Sequence, residues 1–179
     1  MSKKYVFTEN DYNSGDGMIT AIWGPPLWHV LHTISFNYPT EPTDKQKQDY
    51  YDFYHNLKNI LPCKYCRDNL KNNLKKLPMT RDVFKNRDSL SRYVYELHEC
   101  VNKMLGKTSG LTYEDVRERY EHFRSRCLSD PSKTNIEKGC TEPKYGIKSK
   151  CVLNIVPRDA RKKSIKIDPK CKISNKPKN

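Results

Sequence analysis

The sequence predicts an all-α fold: a four-helix bundle with a short fifth helix, followed by a basic, largely disordered C-terminal tail. Three observations carry this prediction. Apolar residues recur at helical spacing in five segments between residues 24 and 126, bounded by prolines, a glycine or capping threonines. Alternating strand patterns are nearly absent before the short Cys151-Val-Leu-Asn-Ile-Val stretch. The composition also divides in two. From Pro131 onward, 14 Lys and Arg stand against 4 Asp and Glu, a net of +10 out of the chain's +13. Both tryptophans, all five phenylalanines and all five histidines come before that point. The expected organisation is an irregular segment over 1–22, a helical domain over 23–128 and a Lys-rich tail over 129–179.

The first helix is expected near Gly24-Pro25-Pro26, since proline suits a first turn, where its missing N–H removes no helix bond. Leu27, Val30, Leu31, Ile34 and Tyr38 follow at helical spacing until Pro39. Thr43 is placed to cap a second helix with Tyr50, Phe53, Tyr54, Leu57, Ile60 and Leu61 on one face. Pro62 opens a third, short helix that carries Cys63, Cys66, Leu70 and Leu74 and ends before Pro78. Leu90, Tyr93, Val94, Leu97, Val101, Met104 and Leu105 form the stripe of a fourth, with Gly106 as its stop. Thr112 caps a fifth that runs to about Arg126. Such a set packs most simply as a bundle.

The N-terminus lacks the apolar run of a secretory signal, and nowhere do eighteen apolar residues occur in succession. Neither a signal peptide nor a membrane span is expected. Seven cysteines point to disulfide chemistry, zinc or both, and an odd number cannot all pair within one molecule.

Pro62-Cys63-Lys64-Tyr65-Cys66 sets two thiols one helical turn apart at a helix start. Unpaired N–H groups there stabilise a thiolate, and Lys64 and Arg67 add positive charge. A thioredoxin-type pair needs a β-α-β setting, whereas this neighbourhood is helical. Structural zinc needs a second close ligand pair, yet the cysteines at 100, 127, 140, 151 and 171 lack that spacing. A zinc site with scattered ligands stays open beside the redox reading; no metal ligands are assigned.

Four segments, the dithiol and three others, resemble the Erv/ALR family of FAD-linked sulfhydryl oxidases. Trp28-His29-Val30-Leu31-His32 with Tyr38-Pro39 is similar to its W-x-x-L-H…Y-P entry helix, and Leu61-Pro62-Cys63-Lys64-Tyr65-Cys66 to its Y-P-C-x-x-C. His98-Glu99-Cys100-Val101-Asn102-Lys103-Met104-Leu105-Gly106-Lys107 resembles H-N-x-V-N-x-x-L-G-K, and Val116-Arg117-Glu118-Arg119-Tyr120 resembles V-x-E-R-W. The matches keep the family's order across roughly residues 23–125. The Trp-Gly-Pro-Pro opening leans toward members from large DNA viruses.

The resemblance implies a bundle cradling FAD beside the C-x-x-C. It implies a thiol oxidase that forms disulfide bonds in dithiol-containing proteins, passing electrons through Cys63, Cys66 and the flavin to O₂ and yielding H₂O₂. Cys66 matches the flavin-facing cysteine and Cys63 the one that exchanges with substrate. Gly24, Trp28, His32, Cys66, His98, Val101, Asn102, Leu105, Lys107, Arg119 and Tyr120 match cofactor-binding positions. Taken singly, each has an ordinary reading as core, cap or solvated charge; their joint order is what singles them out. The family is commonly homodimeric. Its members work in host cytoplasm or virion when viral, and in the mitochondrial intermembrane space when cellular.

Besides Tyr120 in place of the usual tryptophan, this sequence departs from the pattern in three further places. Gly24-Pro25 replaces Gly-Arg, Glu99 replaces asparagine, and Tyr95 and Thr112 stand where the family's structural disulfide would. Cys100 and Cys127, on the fourth and fifth helices, are the expected substitute clamp, contributing about 2–4 kcal/mol if formed. Cys140 and Cys151 are the expected mobile relay pair. The tail, densest at Arg161-Lys162-Lys163, suits weak, salt-sensitive contact with nucleic acid or an acidic surface. A non-enzymatic accessory protein, binding zinc or nucleic acid, is the competing reading.

Overall fold

The computed structural model describes residues 7–126, 142–145, 152–153 and 165–166. Six α-helices follow in order: α1 Glu9–Tyr12, α2 Thr20–Phe36, α3 Asp44–Ile60, α4 Lys64–Lys76, α5 Arg87–Met104 and α6 Tyr113–Glu121. A short 3-10 helix, Arg81–Phe84, joins α4 to α5. Helix α2 packs on α5, α3 on α4, and the short α6 lies across α2 and α5. This is the expected bundle with a fifth helix.

The boundaries obey local chemistry. Thr43 and Gln46, Asn86 and Ser89, and Thr112 and Asp115 each form a reciprocal capping box at the starts of α3, α5 and α6. After α5 the chain turns at Gly106, whose φ of 65° is costly for any residue with a Cβ.

Several expectations need correction. Helix α2 begins at Thr20, so Pro25 and Pro26 lie inside it. The start is fixed instead by one tertiary and one local contact: the Met18 amide donates to the Pro62 carbonyl at 2.8 Å, and the Trp23 indole N–H donates to the Met18 carbonyl at 3.0 Å. The 1–22 segment is thus not wholly irregular, and it also holds α1, capped by Thr8 with Asp11. Helix α4 begins at Lys64, with Cys63 as its N-cap and not its first turn. Helix α6 stops at Glu121, short of Arg126, and Ser125–Arg126 pairs antiparallel with Glu142–Pro143.

The core centres on α5. Leu90 and Val94 are wholly buried, flanked by Tyr93 and Leu97, and they meet Leu31, Tyr38, Tyr54, Leu57, Leu70 and Phe84. A second cluster joins Phe36, Tyr113 and Val116. Helix α2 is therefore covered on two sides, by Leu31 toward one cluster and Phe36 toward the other. The expected stripe residues Val30, Phe53, Ile60, Met104 and Leu105 are exposed instead.

Tyrosine hydroxyls tie the elements together. Tyr54 donates to the Leu31 carbonyl at 2.7 Å, Tyr38 to Phe84 at 2.9 Å, and Tyr93 to Leu77 at 2.8 Å. Each ring fills the core while its polar end finds a main-chain acceptor, which removes the cost of burying it unpaired. Burial pushes the Tyr54 and Tyr93 phenols well above their ordinary range, so they act only as neutral donors.

Within the tail, Val152–Leu153 pairs antiparallel with Ile165–Lys166, where the sequence showed its one strand-like stretch. The expectation of disorder over 129–179 otherwise lies outside the described residues. Among those described, no helix is long and apolar enough to cross a membrane.

Candidate active site

Pro62 ends the approach to α4, and Cys63 follows with φ −149° and ψ 123°, the extended geometry of an N-cap. Its sulfur takes the place of a capping oxygen, accepting the Cys66 backbone N–H at 3.3 Å. Helix geometry then carries Cys66 back toward Cys63. Both side chains are half-buried thiols in this structure. Lys64 is held by Asp68 at 2.8 Å, and the Arg67 guanidinium donates to the Leu61 carbonyl.

The two thiols are driven apart in acidity. Cys63 is lowered, first by a hydrogen bond from the Cys66 side chain, then by the Cys66 amide, Thr20 and the Tyr65 amide, with burial opposing. Cys66 is raised, first by burial and then by sharing its proton with Cys63. Cys63 is the sulfur that ionises first.

The N-terminal segment lies directly over this turn. Besides the Met18–Pro62 bond, the Thr20 hydroxyl sits 3.5 Å from the Cys66 sulfur. A Cβ on Gly17 would fall 2.8 Å from the Pro62 oxygen and 3.3 Å from the Cys63 Cα. Only glycine permits so close an approach.

Farther along α2, four of the residues singled out by sequence meet. Trp28 stacks on His98 with ring centroids 4.0 Å apart and planes within 5°. His32 Nε2 lies 3.0 Å from His98 Nδ1, so one of them carries the shared proton. The Tyr120 ring stacks on both His32 and Phe36. Its hydroxyl is 3.2 Å from His29 Nδ1. Burial holds His98 and His29 below the ordinary imidazole range. Burial first, then the charges of His98, His29 and Arg119, brings His32 down to about 3. The cluster is neutral near pH 7. Burial pushes Tyr120 up to about 12.

The remaining predicted residues are spread around this cluster. Val101 and Asn102 are half-buried on α5, and the Asn102 amide donates to Glu99 at 2.9 Å. Here the unexpected glutamate anchors an expected asparagine. The Lys107 N–H donates to the Asn102 carbonyl at 2.8 Å, while its side chain, like those of Leu105 and Arg119, is exposed. Gly24 has only the Thr20 methyl near its missing Cβ, at 3.4 Å. Cys100 is half-buried on α5. Cys127, Cys140, Cys151 and Cys171 lie outside the described residues, and with them the expected Cys100–Cys127 clamp and Cys140–Cys151 relay.

At the positions of the missing family disulfide, the Tyr95 hydroxyl donates to the Leu111 carbonyl at 2.8 Å, one residue before Thr112. Tyr95 also meets Tyr113 edge-on at 6.0 Å. Helix α5 and the loop before α6 are fastened there without sulfur.

Sequence reasoning missed Gly17, Thr20 and His29. His29 was legible, standing beside Trp28 within the quoted motif. Thr20 and Gly17 carried no signal, because only the folded chain brings them 46 residues back to the dithiol. A polar cavity of about 470 Å³, lined by Phe36, Arg87, Tyr113, Arg117 and Arg124 among others, lies at the other end of α5 and includes none of the predicted residues. Among the described residues, no group of three or more His, Cys, Asp or Glu is placed to hold a metal.

A helical bundle with a helix-capping dithiol and a partly buried, neutral Trp–His–His–Tyr cluster defines a helical dithiol redox protein. A family model described as the Erv1 / Alr family matches residues 25–121, over half of the chain, and the chain belongs to that family. It is 35% identical over 99 residues to the probable FAD-linked sulfhydryl oxidase R368 of Acanthamoeba polyphaga mimivirus, covering 55% of this chain and 68% of that protein. An African swine fever virus FAD-linked sulfhydryl oxidase shares 28% over 99 residues, covering 55% and 80%. The mitochondrial FAD-linked sulfhydryl oxidase ERV1 of Saccharomyces cerevisiae shares 31% over 84 residues, or 47% and 43% of the two chains. This chain thus spans less than half of the yeast protein's length. The solved yeast Erv1 core aligns at a TM-score of 0.52 with 24% identity, covering 67% of this chain and 94% of that one, a likeness of fold.

The residues present fit a flavin nucleotide. The Trp28 and His98 rings offer flat faces for a planar heterocycle. His32 Nδ1 is buried without a hydrogen-bond partner, a donor or acceptor held in reserve. Exposed Lys107 and Arg119 supply cations suited to a pyrophosphate.

Proposed function

We propose that this chain is a FAD-dependent thiol oxidase that forms disulfide bonds in protein substrates. The observation that carries the reading is the Cys63–Cys66 turn: one sulfur capping a helix and ionising first, its partner raised by burial. Family membership supports the same chemistry.

Electrons enter through sulfur. A substrate thiolate attacks Cys63 Sγ of the oxidised pair, the S–S bond breaks, and Cys66 leaves as a thiolate. The substrate's second thiolate attacks its own sulfur in the mixed disulfide and releases Cys63, completing a two-electron oxidation. Cys63 suits the exchange role because the α4 N-terminus stabilises negative charge on its sulfur. FAD, when bound, supplies the acceptor that takes the pair's two electrons and passes them to O₂, giving H₂O₂. Trp28, His32, His98 and Tyr120 would hold it, with Val101, Asn102, Leu105, Lys107 and Arg119 at its margins and Gly24 nearby. Keeping the imidazoles uncharged leaves them free to donate or accept one hydrogen bond each without an unpaired buried charge.

A visible spectrum before and after anaerobic dithiothreitol tests this. A yellow protein whose flavin band bleaches with dithiol and returns in air is expected, with Cys66→Ser coloured but without turnover. A protein colourless after incubation with FAD overturns the reading and favours the zinc or nucleic-acid alternative. The proposed compartment of its dithiol substrates is host cytoplasm or virion if the chain is viral, and the mitochondrial intermembrane space if it is cellular. A homodimer and weak nucleic-acid contact through the tail complete the proposal, to be checked by light scattering and by salt-dependent DNA retention.

A further inference from the structure

The segment Gly17–Thr20 is not part of any motif that marks the dithiol, yet it is built against it. Three contacts fix it there. Met18 N–H donates to the Pro62 carbonyl, immediately before Cys63. Gly17 approaches so closely that a single added carbon would press on Pro62 and Cys63 together. Thr20, the first residue of α2, then stands with its hydroxyl 3.5 Å from Cys66 Sγ. That distance suits a hydrogen bond to sulfur, which is longer than one to oxygen.

The direction of the bond follows from the oxidation cycle. A neutral Cys66 thiol can donate to the threonine oxygen. A Cys66 thiolate has no proton, so only the threonine O–H can donate. Cys66 becomes a thiolate at one defined moment, when substrate attacks Cys63 and the disulfide opens.

We propose that Thr20 is a positioning residue for the dithiol, its hydroxyl donating to the Cys66 sulfur as that sulfur leaves, and that Gly17 and Met18 form the strap that holds it in place. This rests on the thiol-oxidase reading and adds a residue to it. A better-stabilised leaving thiolate speeds exchange. The surroundings agree: burial and Cys63 raise Cys66, while Thr20 is the side chain that lowers it. The two cations nearest the dithiol on α4 are committed elsewhere, Lys64 to Asp68 and Arg67 to the Leu61 carbonyl. Thr20 also follows from its position on the helix, since an N1 side chain projects back over the chain that enters it.

The test uses the full-length flavoprotein with Cys63→Ser, which keeps a capping oxygen and leaves Cys66 unable to reform its disulfide. The rate of Cys66 alkylation by iodoacetamide, read by peptide mass spectrometry, is followed against pH. Thr20→Val is expected to raise the midpoint by about one pH unit, a tenfold change in ionisation, and Thr20→Ser to restore it. Gly17→Ala is expected to raise it likewise by lifting the strap, with no further rise when Thr20→Val is added.

An unmoved midpoint in Thr20→Val overturns the proposal, as does a shift that serine fails to restore. A silent Gly17→Ala removes the strap from it. Circular dichroism checks each fold, and Thr20→Ala carries the comparison if the valine variant does not fold. Alkylation needs no turnover. A parent protein that is an active yellow oxidase, with an unshifted midpoint in the Cys63→Ser background, therefore sinks Thr20 alone, and a colourless parent sinks the oxidase reading instead.

Discussion

Cys63 is given two tasks by this structure, and two substitutions separate them. Its sulfur is the N-cap of α4, accepting the Cys66 amide at 3.3 Å, and it is the first thiol of the pair to ionise. Cys63→Ser removes the redox chemistry and keeps a capping atom. Cys63→Ala removes both. Replacing a capping side chain by alanine costs about 0.5–2 kcal/mol, typically about 1, and a helical domain near 100 residues converts about 1 kcal/mol into roughly 4–8 °C of melting temperature. Both variants should be inactive, with alanine less stable than serine by about that free energy and so unfolding at a lower urea midpoint. The assay is urea unfolding with dithiothreitol throughout, so that the parent's cysteines are thiols. FAD is held equal and saturating, because a ligand bound only by the folded state raises apparent stability. A pH series adds a sign. Cys63 has its folded pKa lowered, so its thiolate contributes stability that is present above the unfolded value of 9.0 and is lost as pH falls through the folded value. Cys66 is shifted the other way, and its contribution is lost as pH rises through its raised value. Cys66→Ser, which keeps Cys63, should retain the first dependence, and Cys63→Ser should lose it. Equal urea midpoints for the serine and alanine variants would refute the capping argument.

Other outcomes follow from the same geometry. His32, buried and brought down from 6.5 to about 3, stays neutral in the fold while the unfolded chain takes up a proton. Its contribution to stability is present above pH 6.5 and is lost as pH falls toward 3, at up to about 1.4 kcal/mol per pH unit; urea midpoints between pH 7 and 5 should show the decline, and His32→Asn should make it shallower, leaving the part that His29 and His98 contribute. Trp28→Ala removes the ring stacked on His98 and should release FAD during gel filtration, read as lost visible absorbance with the helical circular dichroism kept. Tyr95→Phe deletes the hydroxyl bound to Leu111 and should cost about 0.5–1.5 kcal/mol, by equal amounts with and without dithiothreitol.

What was legible in the sequence is what local chemistry writes there. Thr43 and Thr112 announced their helices because a capping side chain needs only the next turn, and Leu90, Val94 and Leu97 announced the core face by spacing alone. Trp28, His32, His98 and Tyr120 came from the ordered motifs, and the fold gathers them from α2, α5 and α6. The start of α2 was misread because prolines usually begin helices, whereas here Pro62, forty-odd residues ahead, anchors the segment that begins it. Val30, Ile60 and Leu105 fit a helical stripe and are nonetheless exposed, since periodicity tells which side is apolar and not which stretch of it is covered. Thr20 was invisible for the same reason as Gly17: its importance lies in a neighbour that sequence distance conceals.

The phenol of Tyr95 also bears on where such a protein can operate. Its trade is with sulfhydryl compounds, which open strained or accessible disulfides and spare unstrained, buried ones, so a cross-link between α5 and the turn ahead of α6 would have to be of the resistant kind. A phenol resting on a carbonyl gives them nothing to attack. At that corner the scaffold is inert toward its own reagents, and the exchange chemistry is left to Cys63 and Cys66, where it is wanted.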